Sequence, residues 1–451
     1  MAAPQPMIPK FLIGIHHIHI LSIAGTMTTP LALELIKLGI KVTGTDQEKI
    51  YPPVSTILSD AKIEINTTPI TPKIDLVIVG GSYNKFKQTQ TEFNQAVALN
   101  LKYISASSFL GLLMESKNPI IVTGTFGKTT ISAALSWALL KLGVFPTYFY
   151  GGFPVNHFPS LELNKDDYSV IEAGEDINGL DTGPKFDYYP IKHLLLTSAD
   201  WEHRESYETE ELNFEAFSNL VNRLTPKSTF VYNPASKSAT RLAASFPNAI
   251  PYNLSLKTKI QTTLIGLANL ENLVAAATLL INLGFPEAKV IEALSSFKGI
   301  HRRLEIIYSS PSLVIIDDFA QSAPRVEAAL DAIKNHYPDF KIITFFEPHA
   351  TSLLYKSSVK LLADSLHLSD SVILGPLNYS SSVSKSQRAT PQYYRQLLGN
   401  KLTYLPDYEV ITQTLSQPPS EKTVIVHFSS GGQIGLSSLQ QIVSHQKSAT
   451  I

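Results

Sequence analysis

Short apolar runs alternate with stretches of helical period through almost the whole chain, the pattern of α/β layers built on mostly parallel sheets. HIHILSIAG (17–25) reads as a strand, LALELIKLG (31–39) as a helix and KVTGTD (41–46) as the next strand. IDLVIVGG (74–81), the helical FNQAVALN (93–100) and the strand KYISA (102–106) follow, closing a βαβ-type, Rossmann-like block near Lys117. A second block opens on PIIV (119–122), continues through the strands DYSVIEAGE (167–175) and KHLLLTSAD (192–200), and ends in the helices 269–284 and 287–299. The third carries LVIIDDFA (313–320), KIITFFEP (341–348), DSVILG (370–375) and TVIVHFSSGG (423–432) as strands separated by helices. The expected domains are 1–117, 118–299 and 300–451: a Rossmann-like domain, a central domain whose first strand runs into a glycine loop (124–127) and a helix, the layout of a P-loop ATPase-like fold, and a second Rossmann-like α/β domain. NYSSSVSKSQRAT (378–390), polar and Ser-rich, reads as an exposed loop.

Composition narrows the chemistry. A chain of 451 residues is too long for one core. Its net charge of −1 gives no global electrostatic reason to bind nucleic acid or an anionic membrane. Cysteine is absent, so disulfides, thiolate metal sites and Cys nucleophiles are excluded. The apolar stretch near the N-terminus holds three His residues and no cleavage pattern, so a buried first strand is the better reading than a signal peptide. No segment offers 18 consecutive apolar residues, and the expectation is a cytoplasmic protein without membrane insertion.

The stretch TGTFGKTT (123–130) stands between a strand and a helix, the layout of a phosphate cradle. Gly124 and Gly127 let the backbone approach an anion. Lys128 would neutralise outer phosphates, and the hydroxyl of Thr129 or Thr130 could hold magnesium. Glu172, at the end of a strand, suits a magnesium ligand in the crevice where α/β ligands bind. Alone it would read as a surface Glu, and His203 in DWEH as a packing residue; they become informative only together with the loop. HRRLE (301–305) puts two arginines at a domain junction, within reach of phosphates. The Asp pair of VIIDDFAQS and the Glu347 and His349 of FFEPHATS lie at further strand ends. After the first strand only Gly25 remains of a dinucleotide fingerprint, which weakens a dehydrogenase reading. Asp46 ends strand two, where an acid often meets a ribose or sugar hydroxyl.

In their order along the chain these pieces resemble the Mur ligase family of peptidoglycan synthesis. TGTFGKTT matches the family's short loop G-T-x-G-K-T, and Thr130 is the extra Thr of the branch that extends UDP-N-acetylmuramate with L-alanine or a peptide. HILSIAGTM, VTGTD and YPPVST look most like the recycling members of that branch, which add L-alanyl-γ-D-glutamyl-meso-diaminopimelate. IEAGE resembles I-E-A-D-E, DWEH resembles E-x-D-H, and GLANLENLVAAA resembles G-x-H-N-x-x-N-x-x-A-A. FKGIHRRLE and DDFAQS match F-x-G-x-x-R-R-x-E and D-D-F-A-H-H-P in part. The resemblance implies an ATP-dependent amide ligase in which Gly124, Thr125, Gly127, Lys128, Thr129 and Thr130 cradle ATP phosphates and Lys128 meets the β- and γ-phosphates. It implies Mg2+ on Thr129, Glu172 and His203. It also implies adenine contacts at Asn269 and Asn272, and ATP contacts at Arg303 and Asp318. The UDP-sugar would lie near Gly25 and Asp46, and the acceptor near His349.

The departures are specific. Ala268 stands for the adenine-motif His, Gly174 for the second acid of I-E-A-D-E, and Gln321-Ser322-Ala323 for H-H-P. Phe126 replaces the loop's His, and His349 replaces the Arg that follows F-E-P in the recycling members. Three readings stay open: a tripeptide acceptor, an L-alanine acceptor, and a non-catalytic binder of nucleotide or UDP-sugar.

Overall fold

A computed structural model describes residues 8–48, 50, 54–202, 204–349, 351–377, 384, 386–431 and 433–448. They form α/β structure on three sheets, distributed over two compact bodies. Residues 1–263 and 268–300 belong to the first body, and residues 264–267 and 301–451 to the second.

The first sheet contains β1 (His17–Leu21), β2 (Lys41–Thr45), β3 (Glu64–Ile65), β4 (Leu76–Val79) and β5 (Tyr103–Ser105). Its order is β3-β2-β1-β4-β5, with every neighbouring pair parallel. The order reverses between β1 and β4, and crevices for ligands open at such switch points. The apolar run before β1 is in part a short 3-10 turn, Lys10–Leu12, so the strand starts only at His17.

The second sheet contains β6 (Asn118–Thr123), β7 (Thr147–Phe149), β8 (Leu161–Glu162), β9 (Tyr168–Ala173), β10 (His193–Leu196), β11 (Phe230–Tyr232) and β12 (Ala249–Pro251). It runs β12-β11-β10-β6-β9-β7-β8, parallel except for β7 with β8. β6 is central and buried along nearly its full length, which is why it reads as a continuous apolar run. The helix Lys128–Lys141 that follows is buried from Thr129 through Ser136 and again at Ala138 and Leu139. Small residues (Ser132, Ala133, Ala134, Ser136) allow that close packing.

The third sheet, in the second body, contains β13 (Glu305–Ser309), β14 (Leu313–Asp318), β15 (Lys341–Glu347), β16 (Ser371–Leu374), β17 (Leu402–Tyr404) and β18 (Thr423–Ser429). The order is β13-β14-β18-β15-β16-β17, with β13 antiparallel to β14 and the rest parallel. Every position of β18 is buried, as expected for a strand flanked on both sides and covered on both faces. The segment 264–267 joins this body: Ile265 is 1% exposed among Val314, Ile316, Val326 and Leu330. Gly266 (φ +91°) passes so near Ala332 that an added Cβ would lie 2.8 Å from its Cβ. Much of the Ser-rich segment 378–390 lies outside the described residues, as do Tyr51, Pro52 and Pro53.

Candidate functional site

β6 delivers the chain into the turn Gly124–Gly127, and the helix Lys128–Lys141 starts at once, with Gly127 as its left-handed N-cap (φ +81°). Both loop glycines are required by geometry. A Cβ at Gly124 (φ +123°) would lie 2.2 Å from Thr197 Oγ1, and one at Gly127 would lie 2.5 Å from Asn272 Oδ1. The loop is braced against the end of β10. Thr125 N donates to Ser198 Oγ at 3.1 Å, Thr125 Oγ1 donates to Asp200 O and, at the same 3.1 Å, accepts from Asp200 N. Such bracing fixes the amides that would face a phosphate before any ligand arrives.

Lys128 folds back over this loop. Its Nζ donates to Gly124 O, to Thr125 O at 3.4 Å and to Glu175 Oε2 at 3.1 Å, with Glu175 fully buried. Thr129, one residue on, donates its hydroxyl to Glu172 Oε1 at 2.8 Å; the other oxygen of Glu172 accepts from Gly151 N at 2.6 Å. A hydroxyl and a carboxylate thus converge at a helix start, a pair of hard oxygen donors. Thr130 is buried in the first helical turn. His203 lies outside the described residues, and among those described no group of three or more His, Asp or Glu forms a metal cluster.

Asn269 and Asn272 fall in the first turns of the helix Leu267–Asn282, and the approach of Asn272 to Gly127 joins that motif directly to the phosphate loop. Ala268 is exposed beside them. Phe126, half exposed at 50%, occupies the tip of the loop.

Gly25 and Asp46 stand across from the loop. Asp46 accepts from Ala24 N (2.8 Å) on one oxygen and from Gln47 N (2.7 Å) on the other, so it ties the end of β2 to the turn after β1. Burial pushes its carboxyl up, against the pull of those two amides. Gly25, Asp46, Lys128 and Glu172 all line one cleft of about 490 Å3 within the first body. Residues that sequence reasoning missed complete its wall: Ser107, Asp176, Asn178, Asp181 and Lys185. Ser107 Oγ donates to Asp181 Oδ2 at 2.6 Å, and Asp176 accepts from Lys185 Nζ and from Asn178 Nδ2 (2.5 Å). A Cβ on Gly174 would lie 2.3 Å from Asp176 Oδ1, so the carboxylate absent at position 174 is replaced in space by one from position 176. Glu175-Asp176, two acids after the strand IEA, were the only local hint of this.

Arg303, Asp318 and His349 belong to the second body. Asp318 accepts from Leu304 N (2.7 Å) and Ala320 N (2.7 Å); burial pushes its carboxyl up to about 6, opposed by those amides and by Arg303. Of the two adjacent arginines, Arg302 is engaged inside the body, with Nε donating to Asp317 Oδ2 at 3.0 Å and a guanidinium N–H to Ser429 O at 2.6 Å. His349 N donates to Gln321 Oε1 at 3.1 Å, so one of the residues standing for H-H-P supports the backbone beside it.

Residues 17–118 match the model of the Mur ligase family's catalytic domain, and residues 122–259 match that of the Mur ligase middle domain. The UDP-N-acetylmuramate–L-alanyl-γ-D-glutamyl-meso-2,6-diaminoheptandioate ligase of Haemophilus influenzae is 27% identical, covering 84% of this chain and 90% of its own length. The UDP-N-acetylmuramate–L-alanine ligase of Desulfitobacterium hafniense is 25% identical, covering 92% and 97%. Among solved structures, the UDP-N-acetylmuramate–alanine ligase of Thermotoga maritima superposes with a TM-score of 0.76 at 21% identity, over 96% of this chain and 99% of that one. The murein peptide ligase of Psychrobacter arcticus gives a TM-score of 0.66 at 24% identity, over 95% and 99%.

Proposed function

The chain belongs to the Mur ligase family, and on that premise we propose that it joins the lactyl carboxylate of UDP-N-acetylmuramate to a peptide of the L-alanyl-γ-D-glutamyl-meso-diaminopimelate type. Family members are ATP-dependent amide ligases of peptidoglycan synthesis, and this chain is one of them. The observation that carries the reading is the shared cleft: Lys128 and Glu172 from the phosphate-loop side line the same space as Gly25 and Asp46 from the first sheet. A nucleotide phosphate and a UDP-sugar held there can be brought into line.

A free carboxylate is a poor electrophile. Transfer of the γ-phosphoryl group to the lactyl carboxylate gives an acyl phosphate with ADP leaving, and attack by the acceptor amine forms the amide and releases phosphate. Loop amides at Gly124, Thr125 and Gly127 hold the phosphate chain, and the ammonium of Lys128, released from Glu175, offsets charge between two anionic reactants. Thr129 and Glu172, whose oxygen donors fit that ion, would hold Mg2+, with His203 as a third ligand through nitrogen. When bound, it neutralises phosphate charge. The assignments are UDP-sugar to 1–117, ATP to 118–299 and the acceptor to 300–451, with Asn269 and Asn272 serving adenine, Arg303 and Asp318 serving ATP, and His349 the acceptor. The family reading puts the reaction in the cytoplasm. Among the described residues no helix is long and apolar enough to cross a membrane.

L-Alanine is the second acceptor, favoured by Pro348-His349 and by the near-equal likeness to L-alanine ligases. ADP release with UDP-N-acetylmuramate and each acceptor separates the two. Turnover with the tripeptide and not with L-alanine is expected; turnover with L-alanine alone would overturn the peptide reading.

A further inference from the structure

The strand ends of the second body contain a buried chain of charges that the ligase reaction, as derived so far, does not use. His427 in β18 is 0% exposed and lies between two carboxylates from the neighbouring strands. Its Nδ1 is 2.8 Å from Asp317 Oδ1 of β14, and its Nε2 is 2.6 Å from Glu347 Oε2 of β15. The remaining oxygens are taken by donors: Asp317 Oδ2 by Arg302, and Glu347 Oε1 by the Tyr408 hydroxyl at 2.6 Å. Both imidazole nitrogens therefore face acceptors, and the ring satisfies both only as an imidazolium donating twice. Burial alone would lower its pKa, but the bonds to Asp317 and Glu347 outweigh that and push it up to about 9. Phe345 stacks on the ring with centroids 4.7 Å apart.

Glu347 is equally fixed. It is 1% exposed, and a Cβ on Gly435, in the first turn of the helix Gln433–Ser448, would lie 1.9 Å from its Oε2. A helix N-terminus adds favourable partial charge beside the anion. Its Oε1 lies 3.7 Å from His349 Nε2. That nitrogen is buried with no hydrogen bond, so Glu347 orients it by charge across the 3.7 Å; the His349 side chain as a whole is 26% exposed, and Nδ1 is the ring nitrogen left to meet a ligand. Gly431 packs on the ring, with a Cβ there only 3.2 Å from Cγ.

We propose that His427 is a positioning residue of the acceptor site: it fixes Glu347, Glu347 fixes the imidazole of His349, and the open edge of His349 recognises a carboxylate of the incoming amino acid or peptide. This rests on the reading that the second body takes the acceptor. Physical need supports it. An arginine brings permanent charge and a two-pronged donor, whereas a histidine offers one N–H per edge and must be aimed by something else. A carboxylate behind the ring is the usual means of aiming it, and here that carboxylate is itself held by a second imidazole.

The test is steady-state ADP release by the full chain with saturating ATP and UDP-N-acetylmuramate, with L-alanine and the tripeptide as separate arms. His349→Ala and His427→Gln are each expected to raise the KM of the acceptor that is used by about tenfold, leaving the KM for ATP and for the UDP-sugar within about twofold. The double variant should be no worse than the more damaging single one, because both act through one imidazole. An unchanged acceptor KM in His427→Gln, or effects that multiply in the double variant, overturns the inference while leaving the acceptor reading standing if His349→Ala still raises that KM. An unchanged KM in His349→Ala overturns both. If His427→Gln does not fold, Tyr408→Phe, which removes one donor from Glu347, is expected to raise the acceptor KM about threefold and to have no effect in a His349→Ala background. An unchanged KM there overturns the inference equally.

Discussion

The two bodies treat charge at their strand ends differently. Beyond β6 and β9, in the first body, Lys128, Glu172 and Asp176 line a cleft, paired with Glu175, Thr129 and Lys185 respectively. Beyond β14, β18 and β15, in the second body, Asp317, His427 and Glu347 are sealed against one another. A buried histidine in each body makes the same contrast. His193 in β10 accepts a backbone N–H from Thr229 at 3.2 Å, and burial, helped by Lys192, holds it down at about 4. His427 meets two carboxylates and stays charged. Burial disfavours the charged form of both rings; Lys192 adds to that at His193, whereas Asp317 and Glu347 outweigh it at His427, so similar rings in similar strands differ in charge.

The largest effect that can break this comparison is at the loop. Lys128→Ala should lower ADP formation by at least about a thousandfold while leaving the circular dichroism spectrum unchanged. Retained turnover would mean that the cleft does not do phosphate chemistry, and ATP binding without ADP from any acceptor in the wild type would favour the non-catalytic reading.

Calorimetry against pH should separate the bodies next. His193 has a folded pKa below its unfolded one, so its neutral form is the native one and stability is lost as pH falls from about 6.5 toward 4. The loss in the first body should reach up to about 3 kcal/mol and flatten in His193→Asn. His427 has the reverse sign: its contribution is complete below about 6.5 and is lost as pH rises through 9, so the second body should weaken in alkali and His427→Gln should remove that arm. A shared pH dependence of both transitions would contradict the assignment.

Gly127→Ala should cost about 1–2 kcal/mol through its left-handed φ and the contact with Asn272, seen as a lower kcat. Adding Asn272→Ala removes the collision but not the backbone strain, so partial recovery of thermal stability is expected, with no recovery of turnover because Asn272 is assigned to adenine. The smallest effect is at Gly174: restoring the acid with Gly174→Asp should displace Asp176 from its place beside Lys185 and raise the KM for UDP-N-acetylmuramate about threefold. A lower KM would mean that the carboxylate at 176 is a poor substitute.

Much of this architecture is legible in the chain because its signals are local. β6, the loop and the buried helix Lys128–Lys141 follow one another without interruption, and a glycine loop before a helix advertises its own geometry. β3 and β8, two residues each, carry no periodicity and exist only through their partners β2 and β7. The antiparallel edge β13 begins on the last residue of the charged junction HRRLE, and EIIYS is a strand only through its pairing with β14. The network around His427 lay furthest from reach. Its partners are 110 and 80 residues away, and each contributing segment reads alone as an ordinary strand end. Only the side-by-side order of β14, β18 and β15 brings three such ends together.

The chain enters the second body twice, first for the four residues 264–267 and then for good after Ile300. Ile265 is part of that body's core, so the core is built from two separate stretches of the chain. A C-terminal fragment starting at His301 would fold around a missing side chain, and a proteolytic nick beside Thr263 would loosen a domain whose own sequence begins nearly forty residues later. Any transplant of this chain's second body has to carry the short outlying segment with the graft.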